Sequence, residues 1–336
     1  MDNKYIANRQ QIMRLRDFRY EGGAAQGVRA CEVQSGQLLA TVVADRCMDI
    51  YEIMFKGINL GFINSMGVCA PAYYDNKGDN FQYTFTAGFM STCGLASYGA
   101  ACFDGEELGQ HGRIGAVPAR NFCARYTSEG AELSGEMVEA RLFKENYRLE
   151  RKYTFDKPNC FSLTDTITNM ASREVPFQVL YHINVGYPLL DESCELLLPT
   201  KRVVPRDEPS AEGADRWRIV ESPADNVTEQ CFYHELGQKD GRSVAGIYNK
   251  GLGIGFIYTF DKEVLDEFVE WKYPCSGEYV LGLEPGNSMV NGRDIARREG
   301  KLKTLKPGEQ VTHTMHFRFF DSSEYDGIAW LIKQYK

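Results

Sequence analysis

The run Tyr279-Val280-Leu281-Gly282-Leu283-Glu284-Pro285-Gly286-Asn287 ends a short apolar segment in a carboxylate. Pro285 cannot donate to a ladder and Gly286 invites a turn, so the spacing predicts a strand that stops at Glu284. A carboxylate at the rim of a sheet, rigid on one side and open on the other, suits a general base. The plainer alternative is a solvated Glu at a strand end. Residues 175–186 carry the second candidate. A period of two puts Val175, Phe177, Val179, Tyr181 and Ile183 on one face, and Gln178, Leu180, His182 and Asn184 on the other. Solvent faces usually carry Lys, Glu or Thr, so a Gln-Leu-His-Asn face points to a ligand. His111 lies in Gln110-His111-Gly112-Arg113, where glycine allows close backbone approach and Arg113 offers a forked donor. Asp45-Arg46-Cys47-Met48-Asp49 reads as an ionic hairpin turn, with Arg46 a further candidate for facing a ligand. His313 alternates with Val311, Met315 and Phe317 and reads as a core histidine, while nothing recommends His234.

These residues need strands to position them. Residues 27–34, 37–44 and 48–55 read as an antiparallel meander, and residues 146–155 as the clearest strand. Further strands are expected at 85–95, 133–143, 161–169, 175–186, 216–220, 244–249, 253–260 and 311–320. Many strands at short spacing indicate a sandwich or barrel rather than βαβ units. Helix is expected in residues 1–18, with Ile12, Leu15 and Phe18 on one face, and in residues 321–334 behind an Asp321-Ser322 cap. Residues 64–110, rich in Gly, Tyr, Asn and Asp, read as a long functional loop. The expectation is one all-β domain over residues 1–336, with a short N-terminal segment (1–22), a C-terminal helix and few other helices.

Composition narrows the function classes. The 336 residues carry 38 Lys and Arg against 46 Asp and Glu, a net charge of −8 with no basic run, so nucleic acid is not an expected partner. The 10 cysteines form no C-x-x-C pair, which gives no support to zinc or thioredoxin-like redox chemistry and fits free thiols in a reducing cytoplasm. No apolar leader opens the chain and no window of 18 apolar residues occurs, so no membrane span is expected. There is no G-x-S-x-G, P-loop, strand-linked G-x-G-x-x-G or H-E-x-x-H. No cofactor or metal is called for.

Taken in order, His111-Gly112, His182 with Asn184, and Leu283-Glu284-Pro285 resemble the motifs of the galactose mutarotase (aldose 1-epimerase) family. Leu305-Lys306-Pro307-Gly308-Glu309 resembles its closing segment. Asp45-Arg46-Cys47-Met48-Asp49-Ile50, Thr92-Cys93-Gly94-Leu95 and His111-Gly112-Arg113 resemble a divergent, DUF4432-like branch of unknown function. The resemblance implies a large twisted antiparallel β-supersandwich with a sugar in its concave face, in a monomer or homodimer. It also implies a mechanism without a cofactor, with Glu284 as base and His182 as acid. By the same analogy His111, Arg113, Gln178, Asn184, Asn287 and Arg46 contact the sugar, and Arg113 with Arg46 would favour an acidic or phosphorylated one. Gly286 stands where the epimerases commonly have Gln. The competing expectations are a lyase, isomerase or two-carboxylate glycosidase pairing Glu284 with Asp45, Asp49 or Asp207, and a non-catalytic sugar binder.

Overall fold

Alternating apolar and polar residues fold the chain into two large antiparallel sheets in the computed structural model, which describes residues 4–335. The larger sheet runs Met13–Arg19, Arg29–Ser35, Leu38–Val43, Asp49–Phe55, Met90–Leu95, Gln178–Gly186, Glu278–Gly286, Glu267–Cys275, Gln230–Leu236 and Thr200–Pro205 in spatial order. The other runs Cys194–Leu196, Arg242–Asn249, Ile254–Asp261, Gln310–Asp321, Cys160–Asn169, Asn146–Phe155, Ala131–Ala140 and Arg120–Tyr126. The helices are short: Glu208–Glu212, Arg293–Arg298 and Tyr325–Lys333. The architecture is the expected all-β supersandwich.

The inner faces of the two sheets meet in one apolar core. Phe89 of the larger sheet sets its ring 5.1 Å from Phe256 and 6.1 Å from Phe317, and Phe161 stacks on Phe317 at 4.5 Å. A polar bolt crosses the same core. Arg151, fully buried, bonds Asp165 of its own sheet through two nitrogens (2.7 and 2.9 Å) and Asp49 of the other sheet at 2.8 Å. Thr92 donates its hydroxyl to Asp49 at 2.6 Å and its amide to the same carboxylate at 2.9 Å. The Tyr181 hydroxyl reaches Asp165 and lies 2.6 Å from His313 Nε2, so His313 is the core histidine its alternation predicts. Tyr181 precedes His182, and the bolt therefore fixes the strand that carries the site.

Several elements depart from expectation. Residues 9–18 are not a helix: a 3₁₀ turn at Arg9–Gln11 leads into the strand Met13–Arg19, paired along its whole length with Arg29–Ser35. Pairing outweighs the weak helical spacing, and Met13 and Leu15 pack against the core. Residues 216–220 form turns rather than a strand. The carbonyls of Arg216 and Ile219 instead accept from the buried Lys272 ammonium at 3.2 and 2.7 Å. The last helix begins at Tyr325 behind Glu324, because Asp321 still belongs to the preceding strand and its side chain binds Ser323. No helix among the described residues is long and apolar enough to cross a membrane.

Candidate active site

The strand at Glu284 does not stop there. It continues through Pro285 to Gly286, with Pro285 opposite Phe268 and Glu284 opposite Val269. On its other side the ladder to Gln178–Gly186 is paired at Leu180–Gly286 and again at Asn184–Gly282, and His182 and Glu284 face each other across the interval. Pro285 has no N–H to give and sits where the ladder opens, so the proline costs no bond. Glu284 is thus on the floor of a cleft, 2% exposed, rather than at a rim. Its Oε1 lies 3.3 Å from His182 Nδ1. Neither atom has a hydrogen-bond partner, so the two stand close without a formed bond. Gly282 leaves that oxygen bare: a Cβ there would stand 2.1 Å from Glu284 Oε1.

The cleft holds about 700 Å³. His111 enters it directly after the stretch 64–110 expected to be a functional loop, its ring 5.5 Å from that of His182. His111 adopts φ 58° and Gly112 φ 70°. At 112 a Cβ would meet the Ser97 and Gly94 carbonyl oxygens at 2.2 and 2.4 Å, so only glycine lets the loop approach so closely. Phe81 and Phe85, within the 64–110 stretch, pack on His111 and His182 at 5.0 and 5.3 Å. Trp271 lies 5.4 Å from His182 on the other side strand, with its Nε1–H donating to Glu229 at 2.7 Å. Glu229 also accepts from Arg206 at 2.7 Å.

Burial sets the protonation of the site. It pushes the Glu284 carboxyl well above the usual range; Glu229 adds to this and Arg206 opposes it. Burial lowers the His182 imidazole to about 3, helped by His111 and opposed by Asn184, and lowers His111 to about 4 against the pull of Glu229. Burial therefore favours the uncharged form of each partner, a carboxylic acid and a neutral imidazole, over an ion pair.

The other candidate ligand contacts lie elsewhere. Arg46 is buried and donates to the carbonyls of Gly115, Cys69 and Thr84 at 2.8–3.0 Å, clamping the long loop rather than facing a ligand. Arg113 is exposed, its guanidinium 5.7 Å above the Tyr74 ring. Asn287 is internal: its amide oxygen accepts from Val179 N at 2.8 Å and its nitrogen donates to Phe177 O. Gln178 donates to Ser288 at 2.9 Å and Asn184 to the His182 carbonyl at 3.0 Å, both fully buried. These side chains close turns and strand ends behind the cleft, where Asn287 is bonded through both its oxygen and its nitrogen, while Gln178 Oε1 and Asn184 Oδ1 are buried without a hydrogen-bond partner. The carboxylates considered as partners of Glu284 are also engaged elsewhere: Asp45 with Arg29, Asp49 with Arg151, and Asp207 capping the helix Glu208–Glu212.

Arg206, Glu229, Trp271 and Tyr273 escaped the sequence reading. Alternation in Glu267–Cys275 was the available sign, with Val269, Trp271 and Tyr273 toward the cleft. Glu270 and Lys272 make the opposite face look solvated, although both are buried there. His234 is buried behind this floor, 3.0 Å from Glu270.

Glu139 supports the His111 loop from below. Its carboxyl accepts from Leu95 N at 3.3 Å, and the adjacent Gly94 N donates to the His111 carbonyl at 3.1 Å. Burial raises Glu139 from 4.5 to about 8, against the pull of the Leu95 amide. Because the folded value lies above the unfolded one, its contribution to stability is full below pH 4.5 and is lost as pH climbs to about 8. Glu139→Gln is expected to remove that slope, roughly 1.4 kcal/mol per pH unit of the window. Urea titrations at pH 5 and pH 8 should show the variant gaining on the wild type at the higher pH; a constant difference would dismiss the effect.

Residues 25–319 match the family described as "Domain of unknown function (DUF4432)". The chain belongs to the DUF4432 family. Solved structures place this family member among galactose mutarotase-like folds. A Klebsiella pneumoniae protein provisionally named an aldose 1-epimerase superposes with TM-score 0.89 at 23% identity, over 96% of this chain and 88% of that one. A galactose mutarotase-like protein from Clostridium acetobutylicum gives 0.69 at 13%, over 93% and 99%. Galactose 1-epimerase from Lactobacillus acidophilus gives 0.61 at 12%, over 92% and 99%. At these identities the likeness establishes the fold. No curated protein matches the chain. No group of three or more His, Cys, Asp or Glu among the described DUF4432 residues is arranged to hold a metal ion.

Proposed function

We propose that this chain interconverts the anomers of a reducing sugar by general acid–base ring opening. The observation that carries the reading is the bare His182–Glu284 contact at 3.3 Å on the floor of the cleft. Mutarotation needs one group to take the anomeric hydroxyl proton while another protonates the ring oxygen. The C1–O5 bond then breaks, and rotation about C1–C2 presents the other face of the aldehyde. Ring closure returns both protons. A pair that shares one proton matches that demand, since each transfer empties one site and fills the other. Hydroxyls of a bound sugar donating to Glu284 favour its carboxylate and move the resident proton to His182. Glu284 then serves as base and His182 as acid, in reverse on closure. His111, neutral and with an unpaired buried Nδ1, offers a hydrogen bond to a hydroxyl.

The cleft favours neutral sugars. Arg206 is its lining arginine and is already paired with Glu229 and Asp207, while Glu229, Glu278 and Glu284 line the same space. The arginines that suggested an acidic or phosphorylated ligand, Arg113 and Arg46, stand away from it. The test is saturation-exchange NMR on neutral, acidic and phosphorylated sugars with the wild-type protein. Accelerated anomer exchange with neutral sugars is the expected result. Binding without acceleration of any sugar would defeat the reading in favour of a binder, and a cleaved product would favour a hydrolase or lyase.

A further inference from the structure

Beyond the reacting pair, the floor of the cleft is a ladder of two strands. Cross-strand partners point to the same side, so Glu284 stands beside Val269, then Gly282 beside Trp271, Val280 beside Tyr273, and Glu278 beside Cys275. Successive rungs on one face are two residues apart, about 7 Å, so the floor runs some ~20 Å from Glu284 to Glu278. That is longer than one pyranose ring. The rings of Trp271 and Tyr273 lie nearly parallel, with centroids 6.5 Å apart and planes 13° from each other. They form one continuous apolar surface leading outward from His182. The Trp271 indole is locked by its bond to Glu229, which Arg206 holds in turn, so the platform exists before any ligand arrives. Phe81 and Phe85 contact each other at 4.7 Å and back the two histidines on one flank, and beyond Glu284 and Val269 the floor is closed by the apolar cluster of Tyr98, Leu180, Tyr233 and Val290. A ligand seated on Glu284 and His182 can therefore extend in one direction only, over Tyr273 and toward Glu278.

We propose that the ligand is a reducing disaccharide or the reducing end of a longer oligosaccharide, with its second ring stacked on Tyr273. This rests on the anomer-exchange reading for the first ring. The C–H face of a pyranose is apolar and flat enough to cover an aromatic ring, and no hydroxyl is left unpaired by doing so. Gly282, having no side chain of its own, leaves its rung of the floor to the Glu284 carboxylate and the Trp271 ring. Exposed Glu278 supplies acceptors for hydroxyls at the outer edge.

The experiment compares D-glucose and D-galactose with maltose, cellobiose and lactose by exchange NMR, in wild type, Tyr273→Ala and Tyr273→Phe. At least one disaccharide is expected to exceed its reducing-end monosaccharide in kcat/KM. Tyr273→Ala should lower the disaccharide-to-monosaccharide ratio about tenfold, the scale of one stacking contact, and Tyr273→Phe should restore it. An unchanged ratio in Tyr273→Ala, or monosaccharides preferred throughout, would overturn the proposal. Calorimetry on Glu284→Gln separates the two ideas, since it reads binding without turnover. Tighter binding of a disaccharide than of glucose, weakened by adding Tyr273→Ala, upholds the second ring even if no sugar is turned over. Equal binding of both refutes it even if monosaccharides are.

Discussion

Glu284→Gln is expected to reduce anomer exchange by ~10²–10⁴-fold, the usual contribution of one positioned acid–base group, while leaving sugar binding measurable. Glutamine keeps the volume and the acceptor oxygen but can neither take nor return a proton. The fold should tolerate it, because burial disfavours the charged form of the Glu284 carboxyl and glutamine is uncharged. Its folded pKa is raised, so wild type loses this group's contribution as pH rises through the ionisation of the unfolded carboxylate. The variant should then be at least as stable at pH 8, and thermal melts check this in the same samples. His182→Ala should cost a comparable factor, and the double variant little more than either alone, because the two groups pass one proton and act as a unit. Multiplicative losses would mean that they work separately. Exchange close to wild type in Glu284→Gln would remove the carboxylate from the chemistry.

Arg151→Met should produce the largest loss of stability, about 3–5 kcal/mol, measured by urea unfolding monitored by fluorescence. The guanidinium sits between Asp49 and Asp165, both deeply buried, and removing it leaves two carboxylates without a counter-charge. The penalty belongs to the orphaned acids more than to the lost attraction. Adding Asp49→Asn and Asp165→Asn to Arg151→Met should therefore recover a substantial part of it. If the triple variant is no better than Arg151→Met, packing of the arginine stem is the real contribution. Exchange activity should also fall in Arg151→Met, since Tyr181 shares this network and adjoins His182.

Strands that alternate over many residues were readable from the chain. In Asn146–Phe155 the apolar set Tyr147, Leu149, Tyr153 and Phe155 is the buried set. Arg151 occupies the same face, and only the facing sheet explains it, since its partner Asp49 is more than a hundred residues away in sequence. The same limit applied at the site. His182 could be picked out because its strand face is unusual for solvent, Glu284 because a Pro-Gly follows it at the end of an apolar run, and His111 because glycine and Arg113 follow it. Asn184, Gln178 and Asn287 look equally well suited to a sugar, yet the His182 carbonyl takes Asn184, the Ser288 hydroxyl takes Gln178, and the backbone of Phe177 and Val179 takes Asn287. Whether a polar side chain meets a ligand or a neighbouring carbonyl is decided by tertiary packing. Glu270 and Lys272 show the opposite case: a Glu-x-Lys face looks wet in the sequence, yet both residues are buried and the turns at Arg216 and Ile219 bond the Lys272 ammonium.

The larger sheet is not closed into a barrel, so its outermost strands could in principle recruit another chain and grow into a fibril. Thr200–Pro205 resists this in three ways. A register shift between Thr200 and Arg202 interrupts its flat rim, Lys201 and Arg202 are exposed, and Pro205 withholds a donor at its end. At the far side Met13–Arg19 interposes Arg14, Arg16, Asp17 and Arg19 among its apolar residues. Side chains that touch neither core nor cleft thus act as gatekeepers against self-templated polymerisation.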